Sequence, residues 1–335
     1  MAVTQPAVIP AIPEATLRRL EQVIPPVELA LHLPLIEEIQ RLKREVGAVV
    51  LAHNYQTPEV FHGVGDIRGD SLALAVEAGR VEAPVIVMAG VHFMAETAAL
   101  MNPERTVLIP SLEAGCSLAE SITAEQVREL RREHPGVPVV TYVNTSAAVK
   151  AESDICCTSA NAVEVVESLG VPRVLMIPDR WLARWVAANT EVEIVAWDGS
   201  CVVHERFTAA DVAAYRTQFP GIVVLAHPEC PSGVLEAADV VGSTSAMVRF
   251  VRERRAERVA LITECSMADN VAAEVRDVEI VRPCTVCPYM KEITLEGIRD
   301  ALREGRHRVE VDPEVAARAR RAVERMVAVG RGRRG

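Results

Sequence analysis

The sequence predicts an α/β protein of three pseudo-symmetric repeats, each a small parallel-sheet three-layer α/β/α sandwich, set around a central cavity. Two observations carry that reading. The first is a trio of cysteines with matched surroundings: Cys116 is followed by SLAESITAEQV, Cys201 by VVHERFTAADV and Cys287 by PYMKEITLEGI. A threonine stands seven residues after each cysteine (Thr123, Thr208, Thr294) and a branched apolar residue four later (Val127, Val212, Ile298), while the cysteines themselves are 85 and 86 residues apart. The second lies upstream. The runs VVLAH (49–53), VVTYV (139–143) and VVLAH (223–227) are each followed by an aspartate, 13, 11 and 12 residues after the fifth member, heading DIRGDS (66–71), DICCTS (154–159) and DVVGST (239–244).

Each unit reads strand, helix, strand, helix-like connection, strand, cysteine loop, helix. The opening runs are short and apolar, as buried strands are. SLALAVEAG, SANAVEVVESLG and TSAMVRFVRERR carry apolar residues at i, i+3 and i+4, the stripe of a helix packed on a sheet. Ser71, Ser159 and Thr244 stand where N-caps are expected. PVIVMAG, PRVLMIP and ERVALIT supply the next strands, and TVLIP, VEIVA and VEIVR lead into the cysteines. Strands alternating with helical patterns predict parallel sheets. The chain divides accordingly into a proline-broken N-terminal arm (1–37), repeats at 38–134, 135–219 and 220–305, and a C-terminal helix and tail (306–335).

Composition removes whole classes of function. A net charge of −10 and 4% aromatic residues oppose a nucleic-acid surface or a base-stacking platform. No apolar run reaches the roughly 18 residues of a membrane span, and MAVTQPAVIPAIPEATLRRL lacks the basic and apolar regions of a secretory signal. The expected setting is cytoplasmic, where eight cysteines serve as thiols, ligands or nucleophiles rather than as disulfides. GVGDIRG (63–69) has GxGxxxG spacing and no strand directly before it, so it reads as a turn, not a dinucleotide loop.

Geometry then suggests where function lies. Sites in open α/β sheets sit beyond the carboxyl ends of the strands. Three lobes around a pseudo-threefold axis would aim three such edges, three cysteines and three helix N-termini at one cavity. Helix N-termini favour anions, so the expected ligand is small and multiply anionic. One cysteine per lobe fits a soft metal at the junction; an iron–sulfur cluster, zinc and plain buried thiols all remain open on spacing alone. Register selects Cys287 over Cys284 of the CxxC pair as the third member, leaving Cys284 an extra thiol and Cys156, Cys157, Cys230 and Cys265 as spectators. Polar residues end the first strands: His53 and Tyr55, Tyr142 and Asn144, His227 and Glu229, with His204 three residues past Cys201. Glu229 or a histidine is a candidate general acid or base.

LAHNYQTPEV, GDSLALA, GVHFMAET, EAGCSLAE, TYVNTSAAVK, CTSAN, DGSCVVH, AHPEC, VGSTSAM and CPYMK together resemble the quinolinate synthase family, from about residue 38 to residue 305. The resemblance implies an enzyme that condenses iminoaspartate with dihydroxyacetone phosphate, losing phosphate and two waters as quinolinate forms for de novo NAD biosynthesis. It implies one [4Fe-4S] cluster per chain on Cys116, Cys201 and Cys287, with one iron open to substrate. It also implies that His53, Ser71, Tyr142, Asn144, Ser159, His204, His227 and Thr244 hold carboxylates and phosphate, that Tyr55 and Glu229, with His227, serve proton transfer, and that an aspartate-oxidising enzyme is a functional partner. FHGVGDIRGDS is one residue longer than the family pattern between His53 and Ser71. The rival expectations are a zinc-dependent hydro-lyase or aldolase-like enzyme and a non-enzymatic iron–sulfur sensor.

Overall fold

The computed structural model describes residues 12–254, 256–283 and 285–331; the extra thiol Cys284 and all but the first residue of the basic RGRRG tail lie outside them. Three four-stranded parallel sheets form. The first contains β1 (Ala48–His53), β2 (Ile67–Gly69), β3 (Val85–Ala89) and β4 (Thr106–Leu108) in the order β2-β1-β3-β4. The second contains β5 (Val139–Tyr142), β6 (Ile155–Cys157), β7 (Arg173–Ile177) and β8 (Glu193–Ala196), ordered β6-β5-β7-β8. The third contains β9 (Val223–Ala226), β10 (Val240–Val241), β11 (Arg258–Ile262) and β12 (Glu279–Val281), ordered β10-β9-β11-β12. The triple repeat is therefore real. It has one strand per repeat more than the sequence pattern suggests, because β2, β6 and β10 are only two or three residues long and too short to show a period.

The repeated aspartates explain those short strands. Asp66, Asp154 and Asp239 each accept a hydrogen bond on a carboxylate oxygen from the backbone N–H of Val50, Val139 and Val224, at 2.8 Å in all three cases. Their own N–H groups return the bond to the same residues' carbonyls. A cation from the preceding helix pairs with each: Lys43 at 2.7 Å, Arg131 at 2.6 Å and Arg216 at 3.1 Å. Strand entry is thus stapled identically three times.

This staple corrects the register. Counting from Val50, Val139 and Val224 makes Tyr142, not Val143, the counterpart of His53 and His227. The run VVTYV starts one residue later in the repeat than its two counterparts, which is why its aspartate spacing is short. A second correction concerns the caps. The helix Ser71–Ala78 is capped by Asp70, whose carboxylate accepts from the Ala73 N–H at 2.8 Å. Ser243 caps Thr244–Arg254 through Ala246 N–H at 3.3 Å, and the helix Ala162–Ser168 starts after Asn161. Ser71, Ser159 and Thr244 are therefore not the capping residues.

The helices that follow the cysteines close the ring. Thr123, Thr208 and Thr294 cap Ala124–Glu133, Ala209–Gln218 and Leu295–Glu304, the first two through reciprocal capping boxes. The branched residue on each is buried: Val127 against the second sheet, Val212 against the third, and Ile298 back in the core of the first. Burying such a side chain stabilises by about 1.5–3 kcal/mol, so each cysteine loop is pinned between its own strand and the next lobe. The helix Pro26–Val46 runs straight into β1 and buries Ile36 and Ile39. The final helix, Pro313–Arg331, lays Ala319, Val323 and Met326 against Ala75, Ala147 and Cys156, joining the first two repeats. Among the described residues no helix is long and apolar enough to cross a membrane.

Candidate active site

All three sheets point the carboxyl ends of their strands at one cavity. Every residue nominated from the sequence lines it: Cys116, Cys201 and Cys287; His53, Tyr55 and Ser71; Tyr142, Asn144 and Ser159; His204, His227, Glu229 and Thr244. The cavity is also walled by residues the sequence did not single out, among them Phe93, Met94 and Met290. Apolar side chains at such positions are indistinguishable from core in a sequence, so only their place in the fold identifies them.

The corrected register gives the strand ends a simple form. Position one is His53, Tyr142 and His227; position two, two residues later, is Tyr55, Asn144 and Glu229. In two repeats the same turn orients the imidazole. The Tyr55 N–H donates to His53 Nδ1 at 3.2 Å, and the Glu229 N–H donates to His227 Nδ1 at 3.4 Å. With Nδ1 accepting, each ring carries its hydrogen on Nε2, and His227 Nε2 lies 3.1 Å from Ser159 Oγ. Burial lowers the pKa of His53 to about 4 and of His227 to about 3, so both rings are neutral donors at pH 7.

Glu229 is the hub of the polar network. Its Oε1 accepts from the Tyr142 hydroxyl at 2.5 Å and its Oε2 lies 2.9 Å from His204 Nδ1. His204 Nε2 meets Thr263 Oγ1 at 2.9 Å, and Thr263 Oγ1 meets the Tyr55 hydroxyl at 2.6 Å. A continuous hydrogen-bonded chain thus joins Glu229 to Tyr55 across three repeats. Burial pushes the Glu229 carboxyl up, but His204, His227 and the Tyr142 hydroxyl together hold it below the ordinary carboxylate range. Burial and the Glu229 charge raise both phenols, Tyr55 and Tyr142, well above the usual tyrosine value. Glu229 is therefore the anion of this network, with the protonated phenols of Tyr55 and Tyr142 beside it. Thr263 links His204 to Tyr55, and Asp70, which caps its own helix, stands on the cavity wall; neither repeats in the sequence, so neither is legible there.

The three cysteines suit a metal by chemistry as well as by position. The backbone N–H groups two and three residues on act to lower each thiol: Leu118 and Ala119, Val203 and His204, Tyr289 and Met290. Such paired N–H groups stabilise negative charge on sulfur. Burial nonetheless pushes the Cys116 thiol up to about 12 and raises Cys201 and Cys287. Thiolates in this place require a cation, which a coordinated soft metal supplies. Cys201, His204 and Glu229 form a tighter set, their donor atoms all within 4.8 Å of one another.

Fold and site together describe an enzyme: a threefold α/β scaffold that brings one cysteine from each repeat, the Glu229 carboxylate and buried hydrogen-bond donors to one cavity. Comparison with known proteins names the kind. Residues 37–328 match the model of the quinolinate synthetase A protein family. Quinolinate synthase 1 of Mesorhizobium japonicum is 64% identical over 311 residues, covering 93% of this chain and 96% of its own. Quinolinate synthase of Agrobacterium fabrum is 63% identical over 311 residues, covering 93% and 90%, and that of Xylella fastidiosa (strain 9a5c) is 64% identical over 294 residues, covering 88% and 87%. The chain belongs to the quinolinate synthase family and is an enzyme of that type.

Proposed function

We propose that the cavity condenses iminoaspartate with dihydroxyacetone phosphate to give quinolinate, phosphate and two waters, and that Cys116, Cys201 and Cys287 hold a [4Fe-4S] cluster at its wall. The observation that carries the reading is the thiol trio, one from each repeat, opposite a shell of neutral donors. When bound, such a cluster supplies an open iron, a Lewis acid toward a carbonyl or hydroxyl oxygen. The protein's own groups do the rest. His53 and His227 donate from Nε2 to substrate oxygens, and Ser71, Ser159 and Thr244, freed from capping, face the same space. Asn144 and Tyr142 belong to the same binding shell. A proton leaving a substrate carbon passes from the Tyr55 end of the chain through Thr263 and His204 to Glu229, or returns along it. The burial of His53, His204, His227 and Glu229 strengthens each of these contacts.

The site is proposed to work in the cytoplasm, supplied by an enzyme that oxidises aspartate, because its imine substrate hydrolyses in water. A second reading has one observation in its favour: the Cys201, His204 and Glu229 atoms are spaced for a single ion such as zinc. Anaerobic purification with iron, sulfide and zinc analysis, alongside quinolinate formation from dihydroxyacetone phosphate and freshly generated iminoaspartate, separates the two. Four irons and four sulfides with product, all lost in Cys116→Ala, Cys201→Ala and Cys287→Ala, are expected. Zinc without sulfide would overturn the cluster assignment.

A further inference from the structure

The loop that carries Tyr55 belongs to the first repeat by sequence and to the third by its contacts. Its backbone N–H groups stay at home: the Asn54 N–H bonds Gly69 O at 3.0 Å, the Tyr55 N–H bonds His53 Nδ1 at 3.2 Å, and the Gln56 N–H bonds His53 O at 2.9 Å. Its backbone carbonyls all go across the seam, as do the side-chain amides of Asn54, to Thr244 Oγ1, and Gln56, to Met290 O. Asn270 Nδ2 donates to Asn54 O at 3.0 Å and to Gln56 O at 2.8 Å, while Lys291 Nζ donates to Tyr55 O at 3.0 Å. Three consecutive carbonyls are held by two side chains of another lobe. Buried carbonyls need partners, so the loop adopts this course only when the third repeat is docked.

We propose that Asn270 and Lys291 are positioning residues for Tyr55, setting its hydroxyl against Thr263 so that the chain to Glu229 is complete. This rests on the assignment of Tyr55 to proton transfer made above. Both residues are committed to the task. Asn270 is buried, and its Oδ1 finds no hydrogen-bond partner among the described residues, so its place is set by what the NH₂ donates. Lys291 is fixed from behind by Glu264 at 3.0 Å and Ser266 at 2.6 Å. The side chain of Glu264 is itself fully buried and also receives the Cys287 N–H, at 3.4 Å. Tyr55 thus sits at the one point where the third repeat's core, the chain to Glu229 and the Cys287 loop share neighbours. A displacement of about 1 Å at such a point costs on the order of 100-fold in rate.

The test is a mutant cycle in the cluster-loaded enzyme. Asn270→Ala and Lys291→Met are expected to lower kcat about 10- to 100-fold with KM for dihydroxyacetone phosphate nearly unchanged, iron and sulfide content intact, and Lys291→Arg partly restored. In a Tyr55→Phe background the same substitutions should cost little more, because they act through that hydroxyl. Amide exchange in residues 53–56 should accelerate in Asn270→Ala while the sheets stay protected, a readout that needs no turnover. Full multiplication of the losses in the Tyr55→Phe background, or loss of iron in Lys291→Met, would overturn the proposal. Wild-type kcat in Tyr55→Phe alone would instead remove the catalytic reading of Tyr55 and leave the loop anchoring to the exchange measurement.

Discussion

The cysteine loops and the first-strand ends are both threefold features of one scaffold, yet they have been treated oppositely. At the cysteine loops the residue is the same in every repeat, and so are the two backbone N–H groups aimed at its sulfur. At the strand ends the backbone is repeated while the side chains differ: His, Tyr and His at the first position, Tyr, Asn and Glu at the second. The proposed cluster, with equivalent metal positions, would call for equal donors. An unsymmetrical pair of substrates demands unequal ones. The comparison teaches that repetition supplied the frame, and under the proposed function the divergence at the strand ends is where substrate chemistry is done.

The sharpest way to break this contrast is to restore symmetry where it was lost. Glu229→Asn copies the second repeat's residue into the third and removes the only ionised carboxylate of the network; kcat should fall by about 10²–10⁴ with iron and sulfide retained. An enzyme of near-normal rate would show that the strand-end differences are not functional. Acid stability probes the seam between repeats one and three. His62, whose Nδ1 lies 2.9 Å from Arg68 Nη1 and whose Nε2 lies 3.3 Å from Asn270 O, has its pKa lowered to about 4 by burial and by Arg68. The unfolded chain therefore takes up this proton first, near pH 6.5, and stability falls as pH drops from there toward 4, with up to about 3 kcal/mol from this ring. Urea unfolding of His62→Gln should show a shallower slope over that window, with the part from His53 and His227 remaining; an unchanged slope would mean that His62 carries none of it.

Two smaller effects test the repeated scaffold itself. Asp154→Asn weakens the Arg131 pair and one of the staple's backbone bonds, and a cost of about 1–3 kcal/mol is expected without change in kcat per folded molecule. Asp66→Asn and Asp239→Asn should give losses of similar size, and three unlike values would argue that the staple is not one device used three times. Thr208→Ala removes a capping box and should cost about 1 kcal/mol, seen as a lowered Tm with the activity intact.

The sequence by itself determined the threefold α/β plan, the cysteine trio and the polar strand ends, since each is written as a repeated local pattern and local patterns survive without coordinates. It also carried the family, because long motifs such as LAHNYQTPEV and TYVNTSAAVK surround the site residues themselves. What it could not settle was register and partnership. The match of Tyr142 with His53 and His227 rests on an aspartate reaching back to a strand 15 or 16 residues away, and the capping of two of the site helices by Asp70 and Ser243 rests on which oxygen meets an N–H. Thr263, Asn270 and Lys291 acquire roles only because a third lobe folds against the loop of the first. Hydrogen bonds between groups more than 200 residues apart leave no period in a sequence, and only the packed tertiary structure decides them.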